Sequence, residues 1–383
     1  MNIDIHSMKP KVFIIFASSI LSGPGKGLFQ YIRHAKSSKC QFDYVLANFT
    51  NDLEYKSEFA EVAEKENANY RLLYQRALLD PTLIKQALKV YRDEGCNIIQ
   101  THGYKGHVIA YVLSRVFGFK WVAWAHGWTN ENAKVRLYNK IECFCLKRAD
   151  VAVAVSPKLY DYIAGFRGSK RETTMILNAV EEGELPGEIG GVATRSRHGF
   201  NHDDVVLGCF GRFSPEKGQE VLLEAFARVV PEHPKAKVML VGSGQEEESL
   251  KALAERLGVR SKVVFCGYQR AMQDYYEAAD VVVMPSHSEG LPNVVLEAQA
   301  AKKPVIATNV GGVCEIIEDG VNGQVVPAGD RLALSEALNA VIGSHQLRAQ
   351  YAQKGYEMLY PKFSPERRAK KIITLYRELL EDG

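Results

Sequence analysis

The sequence has no run of about 20 apolar residues, the length that a helix needs to span a membrane. An early apolar segment, Val12–Ala17, follows Lys9 and Lys11 without a signal-peptide cleavage pattern. Low-complexity tracts and blocks of like charge are also missing, which excludes a disordered or collagen-like chain. These absences predict a cytoplasmic globular protein, with peripheral attachment to the inner face of the cell membrane as an open alternative.

Metal-binding patterns are missing as well. The cysteines do not recur at zinc-site spacing and no Asp-x-Asp triplet occurs, so neither a metal nor another cofactor is predicted. Most of the cysteines lie in apolar strings and are predicted to be reduced core residues: Cys40, Cys96, Cys143, Cys145, Cys209, Cys266 and Cys314.

The net charge is only +3, and nothing in it favours a nucleic acid partner. The first half is the basic half, because residues 1–190 carry 25 Lys and Arg against 20 Asp and Glu, whereas residues 191–383 carry 23 against 25. Within the basic half, Lys134–Arg148 mixes cations with apolar residues. Two interpretations stay open: an amphipathic helix on an anionic membrane surface, or a packed helix with a solvated charged face.

Short apolar runs alternate with helical periods along the chain, which predicts parallel sheets flanked by helices. The predicted strands are Val12–Ala17, Phe42–Ala47, Ile98–Thr101, Trp121–Ala125 and Val151–Val155 in the first half, and Val205–Phe210, Lys237–Val241, Val263–Cys266, Val281–Met284, Pro304–Ala307 and Gly323–Val326 in the second. The segment Glu181–Gly191, rich in Gly and Glu, breaks both periods and is predicted to be a linker.

The predicted fold class is therefore α/β, with two doubly wound, Rossmann-like parallel-sheet domains that face an interdomain cleft. The predicted boundaries are 1–182 for the first domain and 183–360 for the second. A C-terminal helix over 363–383 is expected to pack back on the first domain.

Two carboxylates eight positions apart mark the segment Ser286–Glu297. Pro292 suits a first helical position, so Glu289 is predicted in the loop before a helix and Glu297 inside it. The helix start offers backbone N–H groups and positive dipole to a phosphate. Taken alone, the two acids could equally be a solvated loop acid and a helix acid in an ion pair.

The second motif, Gly211–Gly218, lies between a predicted strand and an amphipathic helix. Arg212 and Lys217 place two cations in this loop, where a diphosphate would satisfy both, although a surface turn with incidental cations stays open. Nearer the amino terminus, Gly23–Gly27 follows the first strand and is predicted to be a loop that lets its backbone approach a ligand.

His102 and His126 each end a predicted strand and should point toward the ligand edge of the sheet, as a structural or a functional histidine. Trp124 and Trp128 could form an apolar wall near His126. Ser156 and Asn178 follow later strands and suit either a site or a helix cap or turn.

Together these motifs resemble the retaining glycosyltransferases of family 4, which have the GT-B fold. The resemblance rests on Glu289 and Glu297, on Arg212 and Lys217, on His126 and Ser156 in their turns, and on Asn178, and it extends from the first strand to the last helix. Two departures, the Gly23–Gly27 loop without the usual paired glycines and Ala179 where glycine is common, affect the acceptor side.

The resemblance implies that Arg212 and Lys217 bind the donor diphosphate, that Glu297 binds the ribose, and that Glu289 with the amides of Gly290 and Leu291 holds the transferred sugar. The implied catalytic residues are Glu289, His126, Arg212 and Lys217. The implied donor-binding residues are Gly25, Gly211, Arg212, Lys217, Gly267, Tyr268, Glu289, Gly290, Leu291, Pro292, Asn293, Val294 and Glu297. The implied acceptor-side residues are Gly23, Lys26, His102 and Asn178.

The implied activity is transfer of a hexosyl residue, without a metal, from a nucleotide-diphosphate sugar to a saccharide or lipid-linked saccharide in surface polysaccharide or lipopolysaccharide assembly. A UDP-sugar is favoured as donor, and GDP-mannose stays open. Two other functions also stay open: a sugar-nucleotide epimerase with the same architecture, and a non-catalytic partner subunit of a glycosyltransferase.

Overall fold

The structure is a computed structural model that describes residues 9–18, 23–37, 42–52, 54–77, 80–128, 133–168, 171–181 and 188–381. Its contacts divide the chain into two compact units. The first runs to Asn178 and is completed by the chain from Pro365 onward, and the second is Ala179–Ser364.

The first unit is built on a parallel seven-stranded sheet in the order β3-β2-β1-β4-β5-β6-β7. Its strands are β1 Lys11–Phe16, β2 Asp43–Thr50, β3 Asn69–Tyr74, β4 Ile98–His102, β5 Lys120–Ala125, β6 Val151–Ala154 and β7 Glu172–Met175. Its helices are α1 Gly23–Ser37, α2 Glu58–Lys65, α3 Thr82–Asp93, α4 Tyr104–Phe117, α5 Ala133–Leu146 and α6 Pro157–Arg167, with α14 Pro365–Glu381 from the end of the chain.

The second unit contains a parallel six-stranded sheet in the order β10-β9-β8-β11-β12-β13. Its strands are β8 Val205–Phe210, β9 Ala236–Val241, β10 Val263–Phe265, β11 Val281–Met284, β12 Val305–Thr308 and β13 Gln324–Val326. Its helices are α7 Glu188–Arg197, α8 Gln219–Val229, α9 Glu247–Arg256, α10 Met272–Ala278, α11 Asn293–Ala300, α12 Arg331–Gly343 and α13 His345–Phe363. Two such sheets flanked by helices confirm the predicted α/β class with two Rossmann-like parallel-sheet domains.

All of the strands predicted from apolar runs are present, with ends shifted by up to three residues. The sequence did not predict β3 and β7, which form the two edges of the first sheet. Both are poor in buried side chains, since β3 has one buried residue and β7 has none. An edge strand that faces solvent lacks the apolar signal of a central strand.

The prediction of a linker over Glu181–Gly191 is wrong for its last residues, because α7 begins at Glu188. Residues 182–187 lie outside the described part of the chain. Gly190 and Gly191 do not break this helix but bring it close to α10. A Cβ atom at Gly191 would lie 2.6 Å from Cβ of Glu277 and 3.0 Å from its carbonyl carbon. The glycines therefore serve helix packing.

Helix α14 belongs to the first unit, although the chain reaches it only after the whole second unit. Its buried face includes Arg368, Ile372, Leu375 and Tyr376. The Tyr376 ring meets that of Phe42 edge to face, with centroids 5.3 Å apart. The first unit is therefore discontinuous in sequence.

No helix in the described ranges is both long enough and apolar enough to cross a membrane. Among the described cysteines none forms a disulfide. Cys96, Cys145, Cys209 and Cys266 are buried as predicted, whereas Cys314 is exposed. Cys40 lies outside the described residues.

Candidate active site

The loop after β8 lies at the carboxyl end of its strand, the edge at which doubly wound sheets bind ligands. Its first residue, Gly211, has φ of 144° and its last, Gly218, has φ of 66°, values that favour glycine. At Gly218 a Cβ atom would lie 2.2 Å from the carbonyl oxygen of Pro285. The backbone N–H of His287 donates to the carbonyl of Glu216 at 2.8 Å, so the loops after β8 and β11 are joined.

Arg212 is held by an acid in its own loop. Its guanidinium donates to Oε1 of Glu216 at 2.6 Å and to Oγ of Ser214 at 3.3 Å, while Ser214 donates to Glu216 at 2.7 Å. Burial alone would raise the pKa of Glu216, but the hydrogen bonds from Arg212 and Ser214 outweigh it and leave this pKa below its ordinary value. Glu216 is therefore ionised and orients a guanidinium that is more than half exposed.

Lys217 and Glu289, 72 positions apart in the sequence, meet in the structure. The Lys217 ammonium donates to Oε1 of Glu289 at 2.7 Å, and the hydroxyl of Ser286 donates to the same oxygen at 2.7 Å. Both charged groups are partly shielded from solvent. The contact places a cation of the first motif directly against a carboxylate of the second.

Glycine in the loop after β12 fixes the backbone around Glu289. Gly311 has φ of 54°, and a Cβ atom there would lie 2.3 Å from the carbonyl oxygen of Glu289. The next amide, that of Gly312, donates to the carbonyl of Gly290 at 2.7 Å, and the buried hydroxyl of Thr308 donates to the carbonyl of Ser286 at 2.5 Å. Three loops thus determine the position of this carboxylate.

Helix α11 begins at Asn293, so Pro292 lies immediately before the helix and not at its first position as predicted. Its ψ of 113° is extended, which explains the difference. Glu297 lies within α11 and accepts a hydrogen bond of 2.7 Å from the hydroxyl of Tyr276. Burial and the Glu297 charge hold the pKa of Tyr276 well above its ordinary value, so this hydroxyl remains a donor.

The backbone at the end of β10 is close to that of β9. Gly267, with φ of 67°, accepts a hydrogen bond of 2.9 Å from the amide of Gly242. Gly242 in turn lies so near Gly211 that a Cβ atom on Gly242 would be 1.9 Å from the Gly211 carbonyl oxygen. Tyr268, next in the chain, has an exposed side chain. Residues singled out from three separate strand ends therefore share one edge of the second sheet.

In the first unit His102 and His126 are brought together. Nδ1 of His102 lies 2.9 Å from Nε2 of His126, and their rings are stacked with centroids 5.2 Å apart. The rings of His102 and Trp124 are also stacked, at 5.6 Å. His102 is buried, and both of its ring nitrogens are engaged by Gln100 and His126. Contrary to the expectation, it does not present a nitrogen to an acceptor.

A hydrogen-bonded chain fixes the orientation of the histidine pair. The Tyr376 hydroxyl donates to Oε1 of Gln100, whose amide nitrogen lies 2.8 Å from Nε2 of His102. Because an amide nitrogen only donates, Nε2 of His102 is the acceptor, and the His102 proton is on Nδ1 facing His126. Burial lowers the pKa of His126 to about 3 and that of His102 well below its ordinary value, so both rings are neutral near pH 7.

The segment Gly23–Gly27 was predicted to be a loop, but it is the first part of helix α1, which begins at Gly23. Pro24 suits the first turn of a helix. Gly27 makes room for α14: the Arg368 guanidinium donates to the Gly27 carbonyl at 2.8 Å, and a Cβ atom there would lie 2.5 Å from that guanidinium. Of the other predicted residues in this stretch, Gly25 is buried and Lys26 is exposed.

Ser156 caps α6, because its hydroxyl accepts a hydrogen bond of 3.4 Å from the amide of Leu159. The capping interpretation is therefore the one that the structure supports. Asn178 is buried at the end of the first unit.

Three site residues were missed from the sequence: Glu216, Ser286 and Tyr276. Glu216 carried a usable signal, since it is four positions after Arg212 and can form an ion pair with it. Tyr276 carried none, because its partner Glu297 is on another helix.

In the described ranges no group of three or more His, Cys, Asp or Glu side chains is arranged to hold a metal ion.

Each of the two units matches the sequence profile of a known protein family. Residues 22–184 match the profile of Glycosyltransferase Family 4, and residues 193–358 match that of Glycosyl transferases group 1. The chain is 33% identical over 234 residues to the lipopolysaccharide core biosynthesis glycosyltransferase LpsE of Rhizobium meliloti, covering 61% of this chain and 65%, just under two thirds, of that protein.

Two further similarities extend over more of the chain. N-acetyl-alpha-D-glucosaminyl L-malate synthase of Bacillus anthracis is 25% identical over 319 residues, which is 82% of this chain and 83% of that protein. The crystal structure of Anabaena HepE in complex with UDP-glucose superposes with a TM-score of 0.83 at 21% identity, covering 96% of this chain and 99% of that one. At this identity the similarity shows the fold.

Proposed function

The chain belongs to glycosyltransferase family 4, and we propose that it transfers a hexosyl residue, with retention of configuration, from a uridine diphosphate sugar to a saccharide or lipid-linked saccharide. The observation that carries the proposal is the contact between Lys217 and Glu289, with Arg212 in the same loop, at the ligand edge of the second sheet. Two cations beside a carboxylate support the binding of a diphosphate next to sugar hydroxyls.

In the proposed complex Arg212 and Lys217 bind the donor diphosphate, each through charge-assisted hydrogen bonds worth about 1.5–3 kcal/mol. Backbone amides of Gly290 and Leu291, just before α11, complete the phosphate site at the positive end of that helix. Gly211 allows the diphosphate to approach its backbone.

Different groups bind the nucleoside and the hexose at the two ends of the donor. Glu297, oriented by Tyr276, accepts hydrogen bonds from the ribose hydroxyls, while the backbone at Gly267 and the side chain of Tyr268 border the base. Glu289 binds hydroxyls of the hexose. The HepE structure in complex with UDP-glucose supports a uridine donor, and GDP-mannose is the alternative that a donor screen decides.

Cleavage of the sugar–phosphate bond puts negative charge on the leaving diphosphate and positive charge on the anomeric carbon. Arg212 and Lys217 stabilise the first charge chiefly in the transition state. Glu289 receives hydrogen bonds from both Lys217 and Ser286, which weakens it as a nucleophile. It is therefore assigned to positioning the sugar and to stabilising the oxocarbenium-like carbon, and the leaving phosphate assists attack from the same face.

The similarity to LpsE supports a place in surface polysaccharide or lipopolysaccharide assembly. A cationic and apolar face supports peripheral attachment to an anionic membrane: α5 exposes Leu137 and Phe144, and the Arg148 guanidinium lies 3.5 Å from the Phe144 ring centroid. The exposed cations of α5 and its C-terminal end are Lys134, Arg136, Lys140 and Lys147. Cosedimentation with phosphatidylglycerol vesicles, but not with phosphatidylcholine vesicles, is expected, and equal binding to both would contradict attachment through charge.

The proposed activity is tested by incubating the protein with UDP-glucose, UDP-galactose, UDP-N-acetylglucosamine or GDP-mannose in excess chelator. Slow release of nucleotide and free sugar is expected from one donor, first as the α-anomer in the proton NMR spectrum. Conversion of the donor into an isomer would favour an epimerase. Neither reaction, together with no thermal stabilisation by any donor, would favour a non-catalytic subunit.

A further inference from the structure

A second set of polar and aromatic side chains lies at the carboxyl edge of the first sheet, separate from the histidine pair. Lys105 follows β4 in the first turn of α4, and Lys134 and Tyr138 are in the first turns of α5, which follows β5. Tyr104 begins α4. We call Tyr104, Lys105, Lys134 and Tyr138 the lysine–tyrosine cluster.

Lys105 is fixed by neutral neighbours. Its ammonium donates to Oε1 of Gln75, directly after β3, at 2.9 Å, and it lies 5.9 Å from the ring centroid of Phe49 near the end of β2. The Lys134 ammonium lies 5.9 Å from the ring centroid of Tyr138. Within the described ranges neither lysine forms an ion pair, so no described carboxylate neutralises the two positive charges of the cluster.

The two tyrosines form a flat wall beside these charges. Their ring centroids are 4.2 Å apart and their planes are inclined by 10°. The wall borders the Lys134 ammonium, whose side chain is itself exposed to solvent.

Helix α4 adds to the positive potential. It is 14 residues long, its first turn contains no acidic residue, and its N-cap Gly103 supplies no capping side chain. The N–H groups at this end therefore reinforce the two ammonium groups.

The charged form of Lys105 is disfavoured in this cluster. Burial lowers the pKa of Lys105; the neighbouring Tyr138 opposes this shift, and Lys134 adds to it. Strained charges of this kind at a ligand-binding edge are typical of functional sites. An anion bound beside the lysines would offset the effect of Lys134 on Lys105.

We propose that the lysine–tyrosine cluster is the subsite for an anionic group, a phosphate or a carboxylate, carried by the acceptor. The inference rests on the proposed glycosyl transfer and specifies its acceptor: a neutral saccharide alone does not satisfy the site. The anion could be the phosphate of a lipid-linked saccharide or the carboxylate of an acidic sugar, and the two sources are distinguished by experiment.

The test measures binding to protein saturated with UDP, so that the phosphate-binding cations of the donor site are occupied. The probes are glucose 6-phosphate, glucuronate and methyl α-glucoside, titrated with NMR detection of the protein. The variants are Lys105→Gln with Lys134→Gln, and Lys105→Arg. Lys85→Gln, an exposed lysine on α3 of the same unit, is the matched control.

Wild type and the Lys85→Gln control are expected to bind an anionic probe at least about tenfold more tightly than methyl α-glucoside, the factor that one charge-assisted hydrogen bond produces. The double variant should lose this preference and Lys105→Arg should keep it. A preference for glucose 6-phosphate assigns the site to phosphate, and one for glucuronate assigns it to carboxylate.

Equal binding of all three probes by wild type, or an unchanged anion preference in the double variant, would overturn the proposal. Failure of UDP to bind would instead count against the proposed function. The anion titration can then be run without UDP and still decides whether the cluster is an anion site.

Discussion

At the scale of single residues, Lys217 is the cation on which the proposed chemistry depends most directly. Lys217→Ala should lower turnover about a hundred- to a thousandfold, the usual effect of removing a group that stabilises developing negative charge. The same change leaves Glu289 without its ammonium partner. Lys235→Ala, an exposed lysine in the same unit, is the control, and transfer rates are measured at saturating donor. A Lys217→Ala enzyme with wild-type turnover would remove the basis of the assignment.

Glu216 acts at one remove, through Arg212. Glu216→Gln keeps the size of the side chain but removes the charge that orients the guanidinium. The expected result is a KM for the donor raised several-fold with a smaller change in kcat, because Arg212 must then be ordered by the ligand. Steady-state kinetics with varied donor separates the two constants. A fall in kcat with unchanged KM would argue that Glu216 acts in the transition state.

The histidine pair should make stability depend on pH. In the unfolded chain each imidazole takes up a proton near pH 6.5. In the folded protein, burial lowers the pKa of His126 to about 3 and the pKa of His102 well below its ordinary value. The unfolded state therefore binds more protons below pH 6.5. The free energy of unfolding should fall as the pH decreases, by up to about 1.4 kcal/mol per pH unit for each histidine.

Urea unfolding of wild type and of a His102→Gln, His126→Gln variant at pH 5 and pH 7 checks this expectation. The fall in stability between the two pH values should be smaller in the variant, which lacks both groups. An equal fall in the two proteins would mean that other residues account for the pH dependence.

At the scale of elements, two helical glycines should respond in opposite ways to the same substitution. A Cβ atom added at Gly165, in α6, would meet no other atom within 4 Å, so Gly165→Ala should stabilise by about 0.5–1 kcal/mol. Gly191→Ala would bring its Cβ within 2.6 Å of Glu277 and push α7 away from α10. It should destabilise by about 1–3 kcal/mol. Denaturant midpoints at constant slope give both values, and stabilisation by Gly191→Ala would contradict the close packing.

The same glycines show what sequence reasoning can and cannot supply at this scale. Gly190 and Gly191 were assigned to a linker because the segment is rich in Gly and Glu and glycine weakens a helix. Their role depends on α10, more than 80 positions later, and local sequence contains no trace of it. Central strands such as β8 were predictable because both of their faces are buried and each residue therefore contributes to one apolar run.

The candidate site divides in the same way. Glu289, Glu297, Arg212 and Lys217 were recognisable because each lies in a short local motif at a strand or helix end. The pairing of Lys217 with Glu289 joins two such motifs, and the lysine–tyrosine cluster joins the segments after β4 and β5, with Gln75 after β3 bound to Lys105. These long-range contacts depend on the order of strands in the sheet. In the first sheet β4 lies next to β1, and β2 and β3 lie on the other side of β1.

At the scale of the whole molecule, the return of α14 to the first unit makes folding of that unit depend on both ends of the chain. Without α14, residues 9–178 would expose the surface that Ile372, Leu375 and Tyr376 cover, and would lose the hydrogen bond from Arg368 to Gly27. Residues 179–364 have no such dependence, because they form a unit with a core of its own.

Fragments test this difference. The fragment 179–364 should unfold cooperatively by itself and be stabilised by UDP, whereas 9–178 should lack cooperative unfolding until 365–381 is joined to it by a flexible linker. A linked fragment carrying Tyr376→Phe should recover less stability, since the buried Gln100 side chain then loses a donor at a cost of about 1–3 kcal/mol. Cooperative unfolding of 9–178 alone would show that α14 is an addition to a unit already complete, and the hydrogen-bonded chain from Tyr376 to His126 would then have no part in folding.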